Sequence, residues 1–217
     1  AADNAPPNLQ KAIGPSEIGH PCPRQVAMKV AGVTPNPSWL DPMPSILGVA
    51  FHNWMEHNLD LREWIPEHRV HVDGRGLWGH SDAYHIPTRT VVDWKLLGLT
   101  MWRDRTGEYA IGTYMDQAPS YGKGFLPAGY PSDRVAVAVF CRSKPLSDLY
   151  VWSEPWDQSI ADQALLRLEA IKTYVQGTGA SDDNRAPLLA IDPVAGDGCY
   201  FCPFKGQLSA GRCDRAS

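Results

Sequence analysis

The chain has 217 residues, 43% hydrophobic and 20% charged, with a formal net charge of −4. This length carries one large domain with a substantial core, and no apolar run reaches the roughly 20 residues that a membrane helix needs. The acidic balance excludes a chain coated in basic patches, although a local basic groove can coexist with an acidic remainder.

Ala1 to Gln10 has neither a basic segment nor an apolar core, so it reads as part of a flexible tail over 1–15 rather than a signal peptide. A short helix is expected from about Gln25 to Ala31, and Pro35, Pro37, Pro42 and Pro44 mark a loop. Ser45 can cap a helix reaching about Trp64, with Ile46, Val49, Ala50, Trp54 and Leu61 as buried candidates. His68 to Val72 reads as a strand, ended by the Asp73-Gly74 turn. Trp78 to His85 and Thr90 to Lys95 read as neighbouring strands around the turn signal Pro87-Thr88-Arg89. Thr113 to Tyr121 has helical character, interrupted by Pro119. Arg134 to Arg142 is a strand whose Val-Ala alternation and Phe140 predict deep burial, with Leu149 to Trp152 as its hairpin partner. Asp157 caps an amphipathic helix through Ile160, Leu165, Leu168, Ile171 and Val175, ending near Gly177. Ser181 to Arg185 is a polar loop, and the segment from Cys199 has no core of its own. A main domain is therefore expected over 16–198, followed by a tail over 199–217.

Side chains alternate along a strand, so Asp93 and Lys95 share one face while Val92 and Trp94 take the other. If the intervening loop has an even residue count centred on Pro87-Thr88, Asp82 stands directly opposite Asp93; an odd loop shifts the register by one. Opposed carboxylates lie roughly 5 Å apart at Cβ and repel, a penalty that a divalent cation removes. Such a set fits metal-assisted phosphodiester hydrolysis. Asp82 and Asp93 would hold Mg²⁺ or Mn²⁺, which polarises a phosphate and acidifies a bound water. Lys95 would orient that water or offset transition-state charge. The plain alternative for so short a pattern is a hairpin with solvated charges.

His52 and Glu56 lie four apart on the predicted helix and share a face. His52 is a candidate nitrogen ligand for the same ion, and Glu56 a candidate to orient it or to hold a second ion; a surface His–Glu pair is the plainer reading. Gln117 and Tyr121, also four apart, suit hydrogen bonding to a phosphate or stacking on a base, or an ordinary polar helix face. Arg103, Arg105 and Lys123 are candidate phosphate contacts, and Trp102, Tyr114 and Tyr130 candidate stacking rings.

Five cysteines without a secretion signal suggest a reducing, cytoplasmic setting, where metal binding outweighs disulfides. Cys199 and Cys202 form a C-x₂-C pair, and Cys213 follows. A fourth thiolate is needed to close a tetrahedral or cubane site, and Cys22 is the best candidate. Cys141 lies in an apolar strand and reads as a buried, inert thiol. Four thiolates suit Zn²⁺ or an iron–sulfur cluster, and either would tie the chain ends together and staple a coreless tail.

Taken together, these residues resemble the PD-(D/E)xK nuclease superfamily, specifically its RecB-like exonucleases with an iron–sulfur cluster. That group includes the CRISPR adaptation nucleases and phage-encoded relatives. The resemblance runs in order through Cys22, His52, Asp82, Asp93 with Lys95, Gln117 with Tyr121, and Cys199, Cys202 and Cys213, and covers nearly the whole chain from Ser16 onward. The gap from Cys202 to Cys213 is longer than the family's usual spacing. The resemblance implies an α/β, restriction-endonuclease-like fold, a mixed β-sheet flanked by helices. It implies a Cys-ligated module joining the N- and C-terminal segments, with a 4Fe–4S cluster rather than zinc. It further implies a metal-dependent DNA exonuclease acting on single-stranded DNA or DNA ends. His52, Asp82, Asp93 and the Trp94 carbonyl would surround Mg²⁺ or Mn²⁺, and partner proteins would come from recombination, repair or CRISPR adaptation. One rival is a non-catalytic DNA-binding or protein-interaction module that keeps the nuclease fold. Another is a zinc hydrolase built on histidines such as His68, His71, His80 and His85, although no H-E-x-x-H or H-x-H-x-D pattern is present.

Overall fold

A computed structural model describes residues 13–36, 42–73, 76–105, 117–194 and 202–205. The chain divides into two compact units, Pro42–Ala164 and the paired end segments Ala1–Asp41 and Leu165–Ser217.

The Pro42–Ala164 unit is built on a five-stranded sheet in the order β1-β2-β3-β4-β5. Its strands are β1 (Trp64–His71), β2 (Trp78–His85), β3 (Thr90–Leu97), β4 (Arg134–Cys141) and β5 (Tyr150–Pro155). Neighbours are antiparallel except β3 and β4, which run parallel, so the sheet is mixed. A parallel pair needs a long crossover, and α4 (Leu99–Arg105) and α5 (Gln117–Phe125) lie within it. The helix α3 (Met43–Asn58) covers one face of the sheet. α4 and α5 cover the other. The fold is thus α/β, a mixed sheet flanked by helices.

β4 is buried on both faces, as its Val-Ala pattern predicts. Its small Ala136 and Ala138 leave room on the α3 side for Trp94, Phe140, Phe51 and Met55. Val137 and Val139 pack on the opposite side with Leu97, Met101 and Trp102. α3 differs from the sequence expectation in length and in facing. It stops at Asn58, and Trp64 already belongs to β1. Ile46 and Trp54 are 57% and 49% exposed, and Val49, Ala50 and Leu61 are exposed too. The packed row is instead Phe51, Met55 and Leu59, four apart, with Phe51 and Phe140 rings 4.8 Å apart.

Pro119 does not interrupt α5, whose described residues are helical from Gln117 through Phe125. α5 lies close against the sheet because two of its residues lack Cβ. A Cβ on Gly124 would stand 2.7 Å from Val70 Cβ, and one on Gly122 2.5 Å from Trp156 Nε1.

The unit of end segments contains α1 (Pro15–Ile18), α2 (Pro23–Val30), α7 (Ala186–Leu189) and the later part of α6 (Gln158–Thr178). Ala27, Met28, Val33, Val175, Ala180, Leu188 and Phe204 form its core. Buried Arg24 donates to the carbonyls of Ile191 at 2.7 Å and Leu189 at 2.9 Å, satisfying acceptors at and beyond the end of α7. Among the described residues, no helix is long and apolar enough to cross a membrane.

Candidate active site

β1, β2 and β3 bring three carboxylates to one level of the sheet. In the β1–β2 ladder, the pairs Pro66↔Ala83 and His68↔Ser81 flank Glu67 and Asp82, which face one another without pairing. In the β2–β3 ladder, Ala83↔Val92, Tyr84↔Val91 and His85↔Thr90 close a loop over 86–89. That loop is even and centred on Pro87-Thr88. One further step of this register reaches Asp82 and Asp93, but the ladder ends at Ala83↔Val92. Asp82 turns its carboxylate into the opening, where Oδ2 accepts the Trp94 backbone N–H at 2.7 Å.

Across from Asp82 stands Glu67. Its φ is 45°, in the left-handed region that non-glycine residues seldom adopt, at a cost of about 1–3 kcal/mol. This residue re-phases β1. Trp64 packs into the α3-side cluster, whereas His68, four residues on, stacks on Phe125 of α5 with ring centroids 5.3 Å apart. Uninterrupted alternation would have kept both on one face.

His52 reaches this level from α3. Its Nδ1 lies 3.3 Å from Asp82 Oδ1 and 4.0 Å from Glu67 Oε1. Ligand atoms of His52, Glu67 and Asp82 all fall within 4.8 Å of one another. They open onto a cleft of about 530 Å³ that is also lined by Asn53, Glu56 and His80. The hydrogen bond that the His52 ring donates to Asp82 raises the His52 pKa against the effect of its burial. Burial, and then the Asp82 charge, raises that of Glu67.

Asp93 belongs to the α5 side of β3 and is 1% exposed. Lys95 Nζ is 2.7 Å from its Oδ2, yet neither carboxylate oxygen has a well-angled hydrogen bond among the described residues. Burial pushes the Asp93 pKa up to about 6, with Lys95 opposing the rise. Lys95 Nζ also donates to Gln117 Oε1 at 3.4 Å, and Gln117 Nε2 donates to Tyr121 Oη at 3.4 Å. Both partners stand one turn apart at the start of α5. Burial raises the Tyr121 pKa, so its hydroxyl stays protonated.

The sequence-predicted residues therefore form two adjoining groups. His52 and Asp82 meet Glu67, with Glu56 on the cleft wall; Asp93, Lys95, Gln117 and Tyr121 form a chain on the α5 side. Glu67 escaped the sequence reading. The β1–β2 register, which pairs Pro66 with Ala83 and His68 with Ser81, carries Glu67 across from Asp82. The other histidines are dispersed: His68 stacks on Phe125, His71 Nε2 accepts the Gly76 N–H at 2.7 Å, and His85 Nδ1 is 2.7 Å from Thr88 Oγ1. Among the described residues, His52 is the one histidine in a group able to share an ion. Lys123 is engaged by Asp162 rather than free for a phosphate. Lys144 Nζ lies 4.3 Å over the Trp102 ring, and Tyr130 packs against Tyr84 and Phe125. Tyr114 lies outside the described residues.

Cys22 is buried at the N-cap of α2, and Cys202 packs against the core of the same unit. Cys199 and Cys213 lie outside the described residues. Cys141 is buried at the end of β4, its Sγ 3.4 Å from Ser143 Oγ.

Neither a protein-family model nor a curated protein matches the sequence. Among solved structures, the chain is similar to one described as the crystal structure of SSO0001, with 17% identity and a TM-score of 0.55. The match covers 91% of this chain and 85% of that one, and at this identity the likeness is one of fold.

Proposed function

We propose that the chain is a metal-dependent DNA exonuclease of the PD-(D/E)xK superfamily, with a restriction-endonuclease-like fold, hydrolysing phosphodiester bonds of single-stranded DNA or DNA ends. One observation carries the reading. Glu67, Asp82 and Asp93 gather on three neighbouring strands beside His52, with Lys95 against the most buried of them. A carboxylate 1% exposed and without a well-angled hydrogen bond among the described residues is costly next to two further acids. A divalent cation relieves that cost, and carboxylates with one imidazole suit Mg²⁺ or Mn²⁺. His52, Asp82, Asp93 and the Trp94 carbonyl would hold it, with Glu67 added to the set. When bound, the ion supplies Lewis acidity toward a phosphate oxygen and lowers the pKa of a water.

The chain's own residues supply the rest. The Trp94 N–H fixes Asp82 through Oδ2 and leaves Oδ1 turned to the cleft side, toward His52. Gln117 accepts from Lys95 and steers its ammonium. Lys95 orients the attacking water or balances charge gathering on the phosphate. Tyr121, kept neutral by burial, holds Gln117. In the end-segment unit, Cys22, Cys199, Cys202 and Cys213 would bind a 4Fe–4S cluster, with Zn²⁺ as the alternative. Support comes from Cys22 and Cys202 sharing one compact unit. DNA is the proposed partner, together with proteins of recombination, repair or CRISPR adaptation in the cytoplasm.

The test is digestion of end-labelled single- and double-stranded DNA in Mn²⁺, Mg²⁺ or EDTA. Shortening that requires metal is expected, and the product ladder gives polarity. Metal-independent DNA binding without cleavage would move the assignment to a non-catalytic DNA-binding module.

A further inference from the structure

Beyond Glu67 and Asp82, the β1–β2 hairpin carries a surface that the cleavage chemistry does not use. Val70 packs on Gly124 and His68 on Phe125, so these alternate residues of β1 face α5. Arg69, His71 and Trp78 line a second cavity of about 620 Å³, shared with Lys123, Gly124 and Leu126 and separate from the carboxylate cleft. The register sets Arg69 across from His80 and His71 across from Trp78, and His80 lines the cleft itself.

Trp78 is 43% exposed, a large apolar ring left in solvent on a strand. His71 stacks on it with centroids 4.2 Å apart and planes 9° apart. The Arg69 guanidinium carbon lies 4.4 Å from the Trp78 ring centroid. Arg69 is exposed and makes no ion pair with a carboxylate among the described residues. Asp73, 3.4 Å from His71 Nε2, is committed to the Leu77 N–H at 2.8 Å. A strand rises roughly 3.3 Å per residue, so Trp78 lies about 13 Å from Asp82 along β2. A strand of a few nucleotides spans that distance.

We propose that Arg69, His71, Trp78 and His80 form a stacking platform that receives single-stranded DNA and leads it into the carboxylate cleft. The argument from charge is direct: the cleft is acidic and repels phosphates, while this surface offers an arginine without a carboxylate partner among the described residues. Aromatic rings take bases of any sequence, and arginine takes the adjoining phosphate. The platform rests on the nuclease reading for its purpose, but its binding is measurable without cleavage.

The experiment is fluorescence anisotropy of a labelled oligothymidylate and of a labelled blunt duplex, in EDTA. Wild type is compared with Trp78→Ala, Trp78→Phe and Arg69→Ala, each checked for an unchanged melting profile. Cleavage by the wild type in Mn²⁺ is followed on the same oligonucleotide. Trp78→Ala is expected to weaken single-strand binding about tenfold or more, with Trp78→Phe restoring most of it. Arg69→Ala should weaken binding and lower the salt slope by about one. Equal affinity of folded variants and wild type overturns the platform and leaves a cleaving enzyme standing. Loss equal on duplex and single strand also overturns it, as would a Phe variant as weak as Ala. Platform-dependent binding without wild-type cleavage keeps the platform and sinks the nuclease reading.

Discussion

Replacing Asp93 with Asn isolates the free energy stored in the buried carboxylate. Burial raises its pKa from an ordinary 3.8 to about 6. A carboxyl raised on folding favours the folded state below its unfolded pKa, and that stability is lost as pH rises through about 6. A difference of about 2 pH units, at about 1.4 kcal/mol per unit, makes the loss about 3 kcal/mol. Asn does not titrate, so the stability of Asp93→Asn relative to wild type should rise by about 3 kcal/mol between about pH 4 and about pH 7. His52 also has a raised pKa, chiefly through its hydrogen bond with Asp82, and loses stability in the same direction. It is present in both proteins and largely cancels. Urea unfolding in EDTA, followed by tryptophan fluorescence, reads this out. Trp54, Trp64, Trp78, Trp94, Trp102, Trp152 and Trp156 all belong to the Pro42–Ala164 unit. Adding Mn²⁺ at pH 7 should stabilise wild type more than Asp93→Asn, because only the native carboxylate is relieved. A stability difference that stays flat across this pH range would refute the reasoning.

Other expectations follow from single contacts. Glu67→Gly removes the strain of a φ of 45° and should stabilise the metal-free protein by up to about 1 kcal/mol, while weakening Mn²⁺ binding in calorimetry. Gly124→Ala places a Cβ 2.7 Å from that of Val70 and should cost about 1–3 kcal/mol in urea unfolding. Cys22→Ser should lower bound iron and the absorbance near about 400 nm after anaerobic purification; a zinc-loaded, colourless wild type would instead assign zinc.

Part of the site was legible because strand alternation is a strong local rule. Turn residues bound β2 and β3, and the Asp93–Lys95 pair falls on one face whatever the tertiary context. The parity of the loop before Thr90 stayed open in the sequence, and so did the end of the ladder at Ala83↔Val92. Nothing in a sequence marks a glutamate for a left-handed backbone. α3 was misread for a different reason. Met43, Ile46, Leu47, Val49, Ala50, Phe51, Trp54 and Met55 make it apolar around most of its circumference, so periodicity did not select the row that Phe140 and Trp94 receive. Pro119 suggested a break, yet Gln117–Phe125 is helical through it. A site joining Cys22 to the late cysteines would rest on chain-end proximity, a long-range property that spacing alone does not carry.

The most direct test compares wild type with Lys95→Ala in Mn²⁺ at saturating single-stranded DNA. Lys95 touches Asp93 and Gln117 and is 20% exposed, so the variant should fold and bind DNA. The account predicts metal-dependent cleavage by wild type and a loss of about two to three orders of magnitude in the variant. Cleavage by Lys95→Ala at the wild-type rate would contradict it.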